Sequence, residues 1–416
     1  MNVRSVLQQG FEAAVQAAKA ECLIPYLQQL APIPGRTAVL LVGKAASAQA
    51  PIAEKFLPDA TGLCVVPAGH HVETRWSVIE ASHPVPDQGS HDAALAAMRF
   101  VQALDPEDRL ICLISGGGSA LMSAPLPGMP FELKLGVHRA LLASGASISE
   151  LNTVRKQLSL VKGGRLAKAT EAQIINLLVS DIPGDHVEFI ASGPTVPAHT
   201  NQADAIAVLE RYEISLLNDL APWLNDPQWA TPSPTDPCFN RVSTHIVAAP
   251  AQSLLAAKTV FEGAGMDCWI LGDAIEGDSE TVARVMAQTA LWQRRHGDLK
   301  RPLCLLSGGE TTVKVTGEGV GGPNAHFALT LVDALQSEPG ISAIACDTDG
   351  VDGAAQIAGA YVDADTLANA ARIGLSFRDA FVQQDAHGFF QALNQSVIPG
   401  PTGTNVNDFR AIVIEP

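Results

Sequence analysis

The sequence predicts an α/β protein of two domains built on parallel βαβ units. Three observations predict it. Short continuous apolar runs recur along the chain, most of them end in a Gly, Ser or Asp turn, and a helix-like segment follows each turn. Runs of this kind are what strands buried on both faces look like, and their alternation with helices implies parallel pairing. The 416 residues exceed what one hydrophobic core usually organises, which favours two domains of roughly 200 residues each.

In chain order, residues 1–20 read as an amphipathic helix with Val6, Leu7, Ala14 and Val15 among charged and amide residues. Residues 39–42 then run into Gly43-Lys44, residues 110–114 into Ser115-Gly116-Gly117-Gly118-Ser119, and residues 174–179 into Ser180-Asp181-Ile182-Pro183-Gly184-Asp185. Residues 246–248, 269–271, 303–306 and 341–345 behave alike. Pro227, Pro232, Pro234 and Pro237 break a stretch poor in periodic apolar residues, so residues 223–241 read as a linker between domains 1–236 and 237–416. The runs ending Leu113-Ile114-Ser115-Gly116-Gly117 and Leu305-Leu306-Ser307-Gly308-Gly309 echo each other across it. Either two sheets face one cleft or two βα turns are alike by chance.

Composition excludes several functions. A net charge of -16 argues against nucleic acid, which needs clustered Lys and Arg, yet leaves room for a basic cleft that takes a small anion. The seven cysteines are odd in number, lack a CxxC pair and lie in apolar runs, as free thiols in a reducing compartment do. The first residues lack the basic start and apolar stretch of a signal peptide, and no apolar run approaches the ~20 residues of a membrane span. A cytoplasmic protein is the expectation.

Ligands in open α/β sheets gather beyond the carboxyl ends of the strands, where the Gly and Asp turns fall. The Ser115–Ser119 turn lets backbone approach a ligand closely and suits a phosphate, although no Walker A lysine follows; an empty tight turn is the alternative. Arg155, Lys156, Lys162 and Arg165 place four cations within about ten residues, either neutralising phosphate or carboxylate charge or forming a solvated helix face. Asp181, Asp185, Glu310 and the run Asp347-Thr348-Asp349-Gly350-Val351-Asp352-Gly353 are placed to hold Mg²⁺ or take a hydroxyl proton; turns and caps are the alternative. Lys44 stands where an ammonium can reach a transferring phosphoryl group, or is a surface lysine. His83-Pro84-Val85-Pro86-Asp87 forms a stiff loop whose polar groups could line a site. Gly317, Gly319 and Gly322 satisfy GxGxxG, a pattern a glycine-rich loop produces easily.

Together these segments resemble the glycerate 2-kinase family, the two-domain class with a C-terminal MOFRL-type domain, some of whose bacterial members carry the label hydroxypyruvate reductase. The resemblance rests on Val42-Gly43-Lys44-Ala45, His83-Pro84-Val85-Pro86-Asp87, Ser115–Ala120, Asn152-Thr153-Val154-Arg155-Lys156, Lys162-Gly163-Gly164, Ser180–Asp185 and Ala191-Ser192-Gly193-Pro194-Thr195. It continues through Ser307-Gly308-Gly309-Glu310-Thr311, Asp347–Gly353 and Pro401-Thr402-Gly403-Thr404-Asn405-Val406-Asn407-Asp408, in consistent order over nearly the whole chain. It implies a Rossmann-like three-layer αβα N-terminal domain, a second α/β domain with a mixed sheet, and an active site in the interdomain cleft. It implies transfer of the ATP γ-phosphoryl group to the 2-hydroxyl of D-glycerate or a similar hydroxy acid, with Mg²⁺. A monomer or homodimer that binds no membrane is the separate expectation. Lys44 and Asp181 are then catalytic, and Ser115, Gly116, Gly117, Gly118, Ser119, Asn152 and Lys162 face nucleotide phosphates. Arg155, Glu310, Asn324 and Asn405 face the substrate, with Asp181 and Asp347 on the metal.

One departure stands out. Where the resemblance leads one to expect Gly-Gly-Arg-Asn and an acid, the chain reads Gly321-Gly322-Pro323-Asn324-Ala325-His326. Pro323 has neither charge nor backbone donor, and His326 supplies a cation only when protonated. Nearby, Gly277-Asp278-Ser279-Glu280 stands for a typical Gly-Glu-Ala-Arg. A redirected substrate, a nicotinamide-dependent reductase and a kinase-derived binding protein are the rival readings.

Overall fold

The computed structural model describes residues 2–353, 355 and 357–416. It divides into two compact units, one of residues 20–180 and 185–247, the other of residues 1–19, 181–184 and 248–416.

The first unit is built on a six-stranded parallel sheet of β1 (Thr37–Val42), β2 (Thr61–Pro67), β3 (Ser77–Ala81), β4 (Arg109–Ile114), β5 (Gln173–Val179) and β6 (Val242–Ala248). Residues 38–42 of β1 and 110–114 of β4 are buried along their whole length, as strands covered on both faces must be. The order is β3-β2-β1-β4-β5-β6, so the sheet winds outward in both directions from the β1–β4 pair. That reversal opens a crevice beyond the carboxyl ends of β1 and β4. A satellite core gathers Val137, Leu141, Leu151, Val154, Val208 and Leu209 from helices Phe131–Ala143, Ile148–Gln157 and Gln202–Arg211.

The second unit holds a mixed sheet of β7 (Asp267–Gly272), β9 (Leu303–Gly309), β11 (Ile341–Asp347), β12 (Gly359–Val362), β13 (Ser396–Val397) and β14 (Asp408–Ile414). Its order is β13-β12-β11-β14-β9-β7, with only β7 and β9 parallel. A small pair, β8 (Gly277–Asp278) and β10 (Thr311–Thr312), stands apart. Alternate residues of β9 face opposite ways. Leu303 and Leu305 join a core with helices Ser279–His296 and Pro323–Leu335, while Cys304 and Leu306 join one with helices Val3–Ala17 and Pro250–Gly263. Gly10 permits a close approach in that second core, because a Cβ there would run into the Phe261 ring.

The α/β fold class is as expected: one parallel sheet and one mixed sheet. The proline-rich stretch is packed, however. Gln202 holds the carbonyls of Trp223 and Asp226 at 2.8 Å, Arg165 bonds the carbonyl of Trp229, and Lys168 pairs with Asp236 at 2.5 Å. Beyond it, β6 completes the first sheet, so contacts divide the chain between Val247 and Ala248 rather than at 236/237. Residues 1–19 belong with the C-terminal segment because Val6, Leu7 and Phe11 find their apolar partners there.

Candidate active site

In the first unit the turns after β1 and β4 are locked together. The Lys44 N–H donates to the Gly116 carbonyl at 2.9 Å, and the Ala45 N–H donates to Ser115 Oγ at 3.1 Å. Gly43 sits at φ +129°, and any Cβ there would collide with Ser115 Oγ. Only glycine meets both demands. A methyl group at Gly117 would lie 3.1 Å from the His83 ring and 3.4 Å from Lys44 Cγ, so Lys44, His83 and Gly117 share one spot at the sheet's switch point. Asp87 of the same loop caps helix Gln88–Gln102, accepting the Ser90 N–H at 2.9 Å, which accounts for it structurally.

Ser119, Asn152 and Lys162 also come together, through a residue to which the sequence reading gave no role. Ser119 Oγ is 2.8 Å from Ser192 Oγ, Ser192 donates to Asn152 Oδ1 at 3.2 Å, and Lys162 Nζ donates to Ser119 Oγ at 3.1 Å. Ser192 lies fully buried at φ +60° in the Ala191–Thr195 motif; a motif with a serine among turn residues was the available signal.

The cations of this unit do not form a solvated helix face. Lys134, Lys156 and Lys162 are buried, with Arg155 and Arg165 half-buried. Lys156 pairs with Glu188 at 2.5 Å. Among the described residues no carboxylate pairs with Lys134, Arg155, Lys162 or Arg165. Arg155 instead donates to His138 Nδ1 at 3.2 Å. Burial, reinforced by the neighbouring charges, pushes Lys134 down to about 7 and His138 down to about 4, and Lys162 lies well below the usual lysine range.

The second unit carries a buried acid–amide network. Asp352 accepts the N–H groups of Asn324 and Ala325 at 2.9 and 2.8 Å, and Asn324 Nδ2 donates to Asp408 Oδ1 at 2.6 Å. Asp408 also accepts the Thr311 N–H at 3.0 Å and pairs with Arg410. Sequence reading passed over Asp408 and Arg410 as site residues. They occupy alternate positions of an otherwise apolar strand, so they share one face, and that was the signal. Asn405 Oδ1 accepts the Asn407 N–H at 3.0 Å, and Asn407 Nδ2 donates to the Asp181 carbonyl at 2.7 Å. Asp347 faces Asp408 across the β11–β14 ladder, and its Oδ1 accepts the Asp349 N–H at 2.9 Å. Glu310 is exposed between β9 and β10. Thus Asp181, Asn324, Asp347 and Asn405 belong to one connected region of this unit.

Residues 6–225 match a family described as a domain of unknown function, DUF4147, and residues 303–408 match the MOFRL family. A D-glycerate 2-kinase of Thermotoga maritima is 34% identical over 90% of this chain and 89% of its own length. The crystal structure of a glycerate kinase from Thermotoga maritima superposes with a TM-score of 0.90 at 31% identity, covering 99% of each chain. The chain belongs to the glycerate kinase family. An Agrobacterium vitis protein that carries the provisional name hydroxypyruvate reductase is 43% identical over 100% of this chain and 95% of its own.

The departure of this family member at residues 321–326 has a clear structural setting. Pro323 is the first residue of helix Pro323–Leu335, where a missing N–H costs nothing, and its carbonyl accepts Ser279 Oγ at 2.6 Å. His326 is poorly placed to act as a cation in this stretch. It is buried with its ring centroid 5.7 Å from that of Phe381, and burial lowers its pKa from the usual histidine value against the opposing pull of Glu280 and Asp278, which disfavours the cation.

Proposed function

We propose that this protein transfers the γ-phosphoryl group of ATP to the 2-hydroxyl of D-glycerate, or of a closely similar hydroxy acid, giving 2-phosphoglycerate. The observation that carries the reading is the interlocked pair of turns, Gly43-Lys44 and Ser115–Ser119, at the switch point of a parallel sheet. Phosphoryl transfer asks a protein mainly for positioning and for positive charge around the phosphates. In this reading Lys44 stabilises the charge of the group in flight. Gly116, Gly117 and Gly118 bring backbone against the nucleotide, with Ser115, Ser119, Asn152 and Lys162 behind them. Arg155 takes the acid's carboxylate, and Glu310, Asn324 and Asn405 line the substrate.

Mg²⁺ enters the reading through the nucleotide. Among the described residues no three His, Cys, Asp or Glu side chains gather as a protein-only cage. Mg²⁺ typically takes one or two carboxylates, several waters and the substrate phosphates, so Asp181 and Asp347 suffice as its ligands. Both border Asn407, which bonds the Asp181 carbonyl and accepts the N–H of Thr348 at 3.2 Å. When bound, the ion would neutralise charge developing on the phosphates. The Asp181 carboxylate would orient the attacking hydroxyl.

The reductase reading finds little support. A Cβ on Gly317, Gly319 or Gly322 would collide with Gln383, Asp385 or Asp352 respectively, so these glycines serve packing within the chain. A dinucleotide loop needs its glycines open to the pyrophosphate after a sheet strand, whereas the strand before them is the two-residue β10. A cytoplasmic location is supported by seven free cysteines, all but Cys22 buried, and no described helix is long and apolar enough to cross a membrane. Monomer or homodimer is the expected state.

Purified protein given ATP, Mg²⁺ and D-glycerate should release ADP and form 2-phosphoglycerate, with tartronate, erythronate and threonate as competing acceptors. Oxidation of NADH or NADPH with hydroxypyruvate in place of that reaction would reverse the conclusion. Tight ligand binding with neither reaction would mark a binding protein.

A further inference from the structure

Lys134 belongs to none of the motifs that the function absorbs, yet it is among the most buried charges in the first unit. It lies on helix Phe131–Ala143 with Val137 and Leu141, and its ammonium donates to Ser123 Oγ and to the Ala124 carbonyl, both at 2.9 Å. Lys162 holds the same segment. Its ammonium donates to the Ser119 carbonyl at 2.6 Å and to the Met122 carbonyl at 3.2 Å. Two ammonium groups therefore clamp residues 119–124, immediately after the glycine turn.

Every acceptor on the clamp is neutral. Arg155, Arg165 and neutral His138 surround it, and Glu188 is engaged by Lys156. Holding a loop does not require charge, since a neutral donor also bonds a carbonyl, though more weakly. Burying two like charges without a carboxylate is costly, and such a cost persists where an incoming anion offsets it.

We propose that Lys134 and Lys162 form a two-lysine clamp whose uncompensated charge holds a ligand oxyanion, a phosphoryl or carboxylate group, against the Ser115–Ser119 turn. Lys134 is thus a positioning residue. The identity of the oxyanion rests on the kinase reading, but the anion binding does not. Burial and mutual repulsion depress both lysines, Lys134 to about 7, and an arriving anion relieves that repulsion. Binding is therefore accompanied by proton uptake near neutral pH.

The test uses the full chain, with orthophosphate, ATP and D-glycerate titrated separately by calorimetry at pH 7.5 in two buffers of different ionisation enthalpy. Wild type should bind at least one of them with proton uptake. Lys134→Met should lower that affinity by about tenfold or more and remove most of the uptake. Its ligand-free melting temperature should fall, because Ser123 Oγ and the Ala124 carbonyl lose a buried donor, so affinities are compared at a temperature where both proteins are folded. Loss toward orthophosphate and ATP assigns a phosphoryl group; loss toward D-glycerate alone assigns a carboxylate. Unchanged affinity in Lys134→Met overturns the proposal. So does binding of all three by wild type without proton uptake, or binding of none, which keeps the test decisive even where the variant does not fold. Lys134-dependent phosphate binding without turnover would remove the kinase reading and leave the clamp standing.

Discussion

Asp352 accepts the backbone N–H of Asn324 at 2.9 Å and so caps helix Pro323–Leu335, whose own N-cap residue, Gly322, has no side chain to do it. A Cβ on Gly322 would in turn strike the Asp352 carboxylate. The cap and the glycine fit only each other, and Asn324 reaches from this point to Asp408. Replacing Asp352 by Ala leaves two buried N–H groups without their acceptor. Chemical denaturation should show a loss of about 2–4 kcal/mol.

The same carboxyl makes stability depend on pH. Burial, with a smaller contribution from the Asp408 charge, pushes Asp352 up to about 7 from its ordinary 3.8. Between those values the folded state holds a proton that the unfolded chain has released. The contribution is complete below the unfolded value and is lost as pH rises through 7. Denaturation of Asp352→Asn between pH 4 and pH 8 should show a flatter profile than wild type; identical slopes would refute the assignment.

Gly43→Ala should damage the first unit out of proportion to its size. The new methyl meets Ser115 Oγ and sits at a left-handed φ of +129°. Strain of this kind costs on the order of 1–3 kcal/mol. It also separates the Lys44 and Gly116 backbones that bond at 2.9 Å, so kcat should fall along with the melting temperature. Retained kcat would separate the turn from the chemistry.

Lys44→Met should spare the fold, because the side chain is only half-buried, and reduce kcat by about 10²–10³ with little change in the KM for glycerate. A rise in KM at constant kcat would make Lys44 a binding residue only.

Pro323→Arg should raise kcat. The position is the first of its helix, where arginine fits the backbone although it lacks the preference proline has there, and burial disfavours the cation of His326, so this stretch lacks a ready transition-state cation. By analogy with other electrostatic donors the gain should reach about 10²-fold. An unchanged steady-state rate would mean that another cation already acts.

Part of the fold and of the site is legible in the amino-acid sequence. Residues 38–42 and 110–114 read as strands because parallel strands covered on both faces are apolar throughout. Strand direction is not legible: residues 303–306 and 341–345 look the same, yet β14 lies antiparallel between them in a mixed sheet. Both faces of that sheet are covered too, so the apolar pattern is identical whichever way a neighbour runs. The four cations of residues 155–165 are visible as a cluster, but composition does not distinguish solvated from buried.

The sequence by itself determined the α/β class, the strand-end turns and the motifs they carry, because these follow from the side-chain pattern of short contiguous segments. Only the tertiary structure decided that β6 closes the first sheet, that helix Val3–Ala17 packs with the C-terminal segment, and that Lys134 joins Lys162 on one loop. Those pairings are made between residues far apart in the chain. Their energy lies in matching surfaces and fields that no local stretch of sequence contains.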